Sequence, residues 1–153
     1  MKYALARHPD AEIVFHLGDG ISEVELLAPH DTRRHWLYVR GNCDPSTTIL
    51  PDNLVKTGEI TLLGHKIVYT HGDLYGVKYG MDGLTDLAVS RCADLVLFGH
   101  THTPYERYTA LPDGRQAYFF NPGSVYRDYF SNISYGVITL TDSGILLSHG
   151  TAF

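Results

Sequence analysis

Cysteine is scarce in this sequence, since only Cys43 and Cys92 occur among its 153 residues. Two thiols cannot build the disulfide framework of a small secreted domain, so we expect no structural disulfide. A chain of this length can bury a sufficient core without one. It also lacks internal repeats, low-complexity segments and linkers, and we therefore predict a single domain over residues 1–153.

Positive charge is scarce as well. Twelve Lys and Arg residues stand against seventeen Asp and Glu residues, which gives a net charge of −5 with His neutral, and the basic residues are scattered. The sequence has no basic stripe to attract a nucleic-acid backbone, so we predict no extended nucleic acid as a partner. No run is long and apolar enough for a membrane span or a signal peptide, and we predict a cytoplasmic protein with no membrane contact.

What the sequence does contain is a series of short apolar runs that end in polar turns. We predict helices at Met1–His8, at Ser22–Ala28 with Ser22 as N-cap, and at Tyr75–Cys92. We predict strands at Ala11–Leu17, Arg34–Arg40, Lys56–Leu63, Lys66–Thr70, Asp94–Phe98, Tyr105–Leu111, Gln116–Phe120, Ser134–Leu140 and Ile145–His149. The chain is thus α/β first and antiparallel β afterwards.

The most informative stretch is Leu97–Pro104, which reads LFGHTHTP and places His100 and His102 on a turn directly after an apolar run. The run is typical of a buried parallel strand, and α/β enzymes carry chemistry at the carboxyl ends of such strands. In a looped backbone both rings can reach one cleft, which favours a metal site. The alternative is a polar turn with two solvated imidazoles.

Three other predicted strands also end in a polar side chain, namely Asp19, Asn42 and His71. If these runs are neighbours in one sheet, their polar ends gather at one edge with His100 and His102. Taken singly, Asp19 and Asn42 are typical turn formers, and His71 is a typical capping or surface residue. Four coincidences at four strand ends are much rarer than one, so we predict a joint site.

Carboxylate, amide and imidazole together suit divalent ions such as Mn, Fe, Co, Ni and Zn. A carboxylate such as that of Asp19 can bridge two ions about 3.5 to 4 Å apart. Ions held in this way lower the pKa of a bound water to supply hydroxide, and their charge stabilises a phosphoryl group during displacement. The residue types therefore predict a hydrolytic centre with two metal ions.

Five ordered motifs carry a resemblance to a known family: Gly18-Asp19, Gly41-Asn42-Cys43-Asp44, His71-Gly72-Asp73, Gly99-His100-Thr101-His102 and Asn121-Pro122-Gly123-Ser124. The chain resembles the calcineurin-like metallophosphoesterases over essentially its whole length, and within them the small bacterial and archaeal phosphodiesterases. The resemblance implies an α/β fold, a four-layer α-β-β-α sandwich. It also implies one ion held by Asp19, Asn42, His71 and His100, and another held in part by Asp19 and His102.

The family's Asp-x-His motif is absent upstream of Asp19. In the family it closes a first strand, ahead of the helix whose end matches Met1 to His8. We expect the fold to lack this N-terminal strand, with unpaired backbone groups on its neighbours, and one metal to keep only two protein ligands. Our hypothesis is that the sequence starts at an internal methionine, with activity below that of the longer chain. The rival view is that the chain is complete.

Three residues beside the motifs receive weaker predictions. Cys43 stands where many relatives carry His; we expect a small packing residue, although a thiol there could also be oxidised or bind metal. Asp44 is expected to orient its neighbours by hydrogen bonds rather than to bind metal. Arg127 could bind a substrate phosphate, with a surface salt bridge as the favoured alternative.

The sequence thus predicts a metallophosphoesterase that uses divalent transition-metal ions, Mn, Ni, Fe or Zn, on a small phosphodiester or phosphomonoester. The alternative is a non-catalytic scaffold that binds proteins, because the same fold resembles the scaffold subunit of the retromer coat. An uncovered sheet edge at the amino end would favour a homodimer.

Overall fold

A computed structural model describes residues 1–46, 54–126 and 132–151 of the chain. The helices are α1 (Lys2–Arg7), α2 (Ile21–Leu27) and α3 (Asp82–Arg91), with short 3-10 turns at Ala28–His30 and Asp73–Tyr75. The strands are β1 (Ile13–His16), β2 (His35–Tyr38), β3 (Thr57–Leu62), β4 (His65–Thr70), β5 (Leu95–Phe98), β6 (Pro104–Ala110), β7 (Gln116–Pro122), β8 (Ser134–Thr141) and β9 (Gly144–Thr151).

The central layer is a five-stranded sheet in the order β3-β4-β5-β7-β6. Its inner strands β4, β5 and β7 are parallel, and β3 and β6 are antiparallel edges. All four residues of β5 are buried, because helix α3 covers one face of the sheet with Leu84, Leu87 and Ala88. A strand buried on both faces needs a second layer on its other side.

That second layer consists of the parallel pair β1 and β2 and the antiparallel hairpin of β8 and β9. Leu17, Val39 and Leu147 from this layer pack on Ile67 and Leu95 of the central sheet. Helix α2 buries Ile21 and Val24. The predicted α/β sandwich of helices and two packed sheets is confirmed.

The strands that end in the predicted site residues are not all neighbours in one sheet, so the condition from which we argued for a joint site does not hold. β1 and β2 pair with each other, whereas β4 and β5 belong to the five-stranded sheet. Because β4 and β5 are apolar on both faces, the first two strands stack on them instead of extending their edge. The carboxyl ends of both sets still meet on one side of the molecule.

Within the described residues, β1 pairs only with β2 and β8 pairs only with β9. Within this part of the chain, each of these strands therefore has one edge without a strand partner. The apolar residues Ile13, Val14 and Phe15 of β1 are only half-buried, in contrast to β5.

The third helix begins at Asp82 rather than at the predicted Tyr75. Residues 76–81 form a loop, in which Gly76 has a φ of +63° that ends the preceding 3-10 turn. At Gly83, in the first turn of α3, a Cβ atom would meet the carbonyl oxygen of Tyr75, so only glycine lets the helix pack this closely on that turn.

The predicted N-cap of α2 is also wrong. The helix begins at Ile21 after Gly20, whose φ is +90°, and Ser22 lies inside the first turn. The backbone N–H of Ile21 donates instead to the Asp44 carboxylate at 2.9 Å. A side chain distant in sequence thus provides the acceptor that a local cap residue normally supplies.

Candidate metal centre

Four of the predicted site residues meet around one ring nitrogen, the Nε2 atom of His71. It lies 3.0 Å from Asn42 Oδ1, 3.1 Å from His100 Nδ1 and 3.4 Å from Asp19 Oδ2. One ligand atom each from Asp19, His71 and His100 lies within 4.8 Å of the others. Each of these residues follows the carboxyl end of a different strand, β1, β2, β4 or β5.

The hydrogen bonds of His71 decide which of its nitrogens can bind a metal. The ring is almost fully buried, and its Nδ1 lies 2.7 Å from the backbone oxygen of Leu17. A carbonyl oxygen can only accept, so Nδ1 carries the proton and the Nε2 of a neutral ring presents a lone pair. Metal-binding histidines typically donate their second N–H in this way, which fixes the tautomer and orientation of the ring.

The Asn42 amide is oriented with its oxygen towards His71, because its Nδ2 donates to Cys43 Sγ at 3.3 Å. Lone pairs of Asn42 Oδ1, Asp19 Oδ2 and His71 Nε2 therefore point at one another at short range. These acceptor atoms repel one another unless a cation or a proton lies among them. The donor set of carboxylate, amide and imidazole fits a divalent transition metal.

The electrostatic environment of His100 keeps its ring in the form that binds metal. Burial is the main cause that lowers the pKa of His100, and the positive charge of Lys78 lowers it further. The ring is thus neutral at neutral pH and has a free lone pair.

The backbone at this centre is strained. Asp19, His100 and His102 have φ angles of +57°, +66° and +58°, in the left-handed region that residues with a Cβ atom seldom adopt. Each such residue costs about 1–2 kcal/mol, and strain of this kind concentrates at functional sites.

A buried side chain, Asn121 at the end of β7, holds the turn that carries His100 and His102. Its Nδ2 donates to the Gly99 carbonyl at 3.0 Å and to Thr101 Oγ1 at 2.9 Å, while its Oδ1 accepts from Gly123 N at 2.9 Å. The residue is fully buried. The sequence marked Asn121 as part of a motif, but only the fold reveals this positioning role.

Two glycines allow the turns after β1 and β2 to touch. A Cβ atom at Gly18 would lie 2.6 Å from Gly41 N and 2.8 Å from His71 Nδ1, and Gly18 also has a φ of +90°. A Cβ atom at Gly41 would meet the carboxylate and the backbone nitrogen of Asp19. The spacing of Asp19 from Asn42 therefore depends on both glycines.

Asp44 organises the same region through its carboxylate. It accepts from the backbone nitrogens of Asp19 at 2.9 Å, Gly41 at 2.8 Å and Ile21 at 2.9 Å. Burial would raise the pKa of Asp44, but the N–H donors, those of Ile21, Gly41 and Asp19 among them, outweigh burial and lower it. The carboxylate is thus charged, and its oxygens are engaged by the backbone of the turns.

Cys43 is exposed, and its backbone N–H donates to Asp19 Oδ1 at 2.8 Å. The negative charge of Asp19 is the main cause that raises the pKa of the Cys43 thiol, so the thiol is protonated at neutral pH. The backbone of Cys43 therefore has a clearer role than its sulfur, because it fixes one oxygen of the Asp19 carboxylate.

Two further residues were predicted for the site. His102 is exposed, and it does not belong to the group formed by Asp19, His71 and His100. Arg127 lies outside the described residues, so its predicted contact with a substrate phosphate has no structural description.

One residue near the centre carried no signal in the sequence. Lys78, an exposed residue of loop 76–81, acts electrostatically on both His100 and Cys43. A single lysine outside every motif has no feature that marks it before folding.

Comparison with known proteins agrees with this geometry. Residues 1–143 match the calcineurin-like phosphoesterase superfamily domain. The chain belongs to this superfamily. Membership makes it a metal-dependent phosphoesterase, and the group of Asp19, His71 and His100 is its possible metal-binding site. The chain is 29% identical over 139 residues to the probable metallophosphoesterase YsnB of Bacillus subtilis strain 168, an alignment covering 89% of this chain and 74% of YsnB.

Two solved structures show the same fold at lower identity. A single-mutant form of Vps29 from Entamoeba histolytica has a TM-score of 0.73 at 19% identity, covering 100% of this chain and 90% of Vps29. An archaeal phosphodiesterase has a TM-score of 0.68 at 20% identity, covering 97% of this chain and 90% of that protein. Among the described residues of the phosphoesterase, no helix has the length and apolar character needed to cross a membrane.

Proposed function

We propose that this phosphoesterase hydrolyses phosphodiesters at a centre of two divalent ions. Asp19, Asn42, His71 and His100 would hold one ion, and Asp19 and His102 would contribute to the other. The observation that carries the proposal is the convergence of three ligand atoms within 3.4 Å of His71 Nε2. A purely structural cluster has no need for so many lone pairs in one place.

When bound, such ions lower the pKa of a coordinated water and neutralise charge that develops on the phosphoryl group. The chain's own residues orient the ligands. Leu17 fixes the tautomer of His71 through its carbonyl, and Asp44 and the Cys43 N–H fix the turn and carboxylate of Asp19. Phosphoryl transfer depends mainly on positioning and charge stabilisation, so rigid ligands are the principal contribution expected of the protein.

The preference for diesters is supported by the likeness of the fold to an archaeal phosphodiesterase. Monoesters remain an alternative substrate class. Mn, Ni, Fe and Zn are all compatible with the ligands, so we leave the metal open among them. A cytoplasmic location and a homodimer remain predictions; analytical ultracentrifugation would test the second.

The test is hydrolysis by protein stripped of metal and reloaded with each ion in turn. Bis(p-nitrophenyl) phosphate reports diester cleavage, and p-nitrophenyl phosphate reports monoester cleavage. We expect diester turnover with at least one ion and a loss of about 100-fold or more in His71→Ala. The matched control is His35→Ala, at an exposed position on β2, which should keep wild-type rates.

The absence of turnover with every ion, or equal turnover in His71→Ala, would contradict the proposal. We also propose that activity is impaired, because Asp19 and His102 are the only ligands assigned to one ion. A variant with an added amino-terminal strand that carries Asp-x-His should then hydrolyse the diester faster than the present chain does. Equal rates from the two chains would disprove impairment.

The second candidate is a scaffold that binds proteins without catalysis. It is favoured by the fold shared with Vps29 and by the unpaired edges of β1 and β8 in the described chain. The complete set of Asp19, Asn42, His71 and His100 argues against it. Metal binding without any turnover on either chromogenic ester would favour the scaffold.

A further inference from the structure

A small cavity opens next to the candidate metal centre, on the side of the central sheet that α3 covers. Its volume is about 220 Å³. Pockets for whole small molecules usually measure about 300–1,000 Å³, so this cavity has room for only one part of a ligand. Its walls include Val77, Met81, Phe98, Thr101, Thr103 and Tyr105.

The walls of the cavity are aromatic and aliphatic. Phe98 and Tyr105 make an edge-to-face pair with ring centroids 5.8 Å apart, and Met81 packs against the same buried cluster. Aromatic and thioether groups favour a planar apolar ring over a charged or sugar-like group.

The hydroxyl groups of the two threonines at the cavity are already hydrogen-bonded. Thr103 Oγ1 donates to the Thr101 carbonyl at 3.2 Å, and Thr101 Oγ1 accepts from Asn121 at 2.9 Å. No residue that lines the cavity is charged. A strongly polar ligand group would therefore find little compensation there for lost hydration.

Both walls of the cavity are continuous with metal-centre residues. Thr101 lies between His100 and His102 on the same turn. On the other wall, Val77 packs against the residue that follows His71, since a Cβ atom at Gly72 would lie 3.0 Å from Val77 Cγ2. A phosphate at the metal centre would thus have one of its ester groups beside the cavity.

We propose that the cavity between loop 76–81 and the turn that carries His100 and His102 is a substrate-recognition site, which takes a planar aromatic ester group of a phosphodiester. The inference rests on the proposed function and deepens it. It defines the substrate class as a diester with at least one aryl or nucleobase-bearing ester group.

The test compares three diesters that share a p-nitrophenyl leaving group: the methyl, phenyl and thymidine 5′ esters of p-nitrophenyl phosphate. Because the leaving group is constant, the ratios of kcat/KM report the second ester group alone. We expect kcat/KM for the phenyl or thymidine ester to exceed that of the methyl ester about tenfold or more. The better of the two identifies a simple aryl group or a nucleobase as the preferred ring.

Two variants locate the effect. Thr103→Trp narrows the cavity from its exposed rim and should reduce the ratio of phenyl to methyl ester to about one, since the added indole occupies the ring site. Thr61→Trp is the matched control, at an exposed position on β3 at the other edge of the sheet, and should keep the wild-type ratio.

The two proposals fail in different ways. If the metal-loaded wild-type protein hydrolyses none of the three esters, the proposed function fails. If it hydrolyses all three with equal kcat/KM, or if Thr103→Trp keeps the full preference for the phenyl ester, only the assignment of the cavity is overturned.

Discussion

The contact between Gly41 and Asp19 can be tested with one methyl group. In Gly41→Ala the new Cβ would overlap the carboxylate oxygen and the backbone nitrogen of Asp19. The turn after β1 cannot yield easily, because Asp44 holds the Asp19 N–H at 2.9 Å and Gly18 already lies against Gly41. The two turns must therefore move apart.

The size of this movement sets the expected loss. Contacts between a real Cβ atom and an oxygen are seldom closer than 3.0 Å, so relief of the overlap requires a shift on the order of 1 Å. A misplacement of about 1 Å in a catalytic group can cost about 100-fold in rate, which is about 2.7 kcal/mol of transition-state stabilisation. Overpacking should also lower the free energy of unfolding by about 1–3 kcal/mol.

The matched control for Gly41→Ala is Gly144→Ala at the β8–β9 turn, where a Cβ atom would have nothing within 4 Å. We would measure kcat/KM on bis(p-nitrophenyl) phosphate, metal affinity by calorimetry, and the free energy of unfolding. Gly144→Ala should match the wild type in kcat/KM and metal affinity. If Gly41→Ala also keeps kcat/KM and metal affinity within about threefold, the close approach of the two turns does not set the ligand geometry, and our reasoning is wrong.

Three further predictions concern stability. A divalent ion at 100 times its Kd should raise the free energy of unfolding by about 2.7 kcal/mol and Tm by about 5–11 °C. In differential scanning fluorimetry, His100→Ala should lose most of this increase in Tm, because it removes one ligand. Asn121→Asp would replace the N–H donor to the Gly99 carbonyl by an oxygen, so two acceptors would face each other. We expect chemical denaturation to show a free energy of unfolding lower by about 1–3 kcal/mol or more, and unchanged stability would refute the positioning role. Asp44→Asn should lower the free energy of unfolding by a similar amount, because three backbone N–H groups lose a charged acceptor. The control Asp113→Asn removes an exposed ion pair with Arg115 and should have little effect on that free energy.

The strands and their polar ends could be predicted from the sequence because both signals are local. The runs before Asp19, Asn42, His71 and His100 are short and apolar, and each ends in residues that favour a turn. The carboxyl ends of parallel strands face the same way, so the four side chains meet even though the strands occupy two sheets. For this reason the convergence of these residues does not require the single sheet from which we argued for it.

The features that could not be predicted depend on contacts between distant parts of the chain. Asp44 takes over the capping role assigned to Ser22 only because the turn after β2 folds against α2. The late start of α3 depends on the contact of Gly83 with Tyr75, which local helix propensity does not encode. Lys78 gains its significance from where its loop lies in the fold.

Around the metal centre, residues with strained backbone angles carry the ligands, and other residues hold the turns in place by hydrogen bonds. Asp19 and His100 have positive φ angles, and their side chains converge on His71. Their unfavourable backbone angles therefore orient the ligand atoms. The residues that hold these turns, Asp44 and Asn121, engage mainly backbone groups. A cation would remove the repulsion among the ligand lone pairs without any change in this support. Ligand geometry is therefore set by the fold before metal binds, and variants of the supporting residues should lower metal affinity even when every ligand is retained.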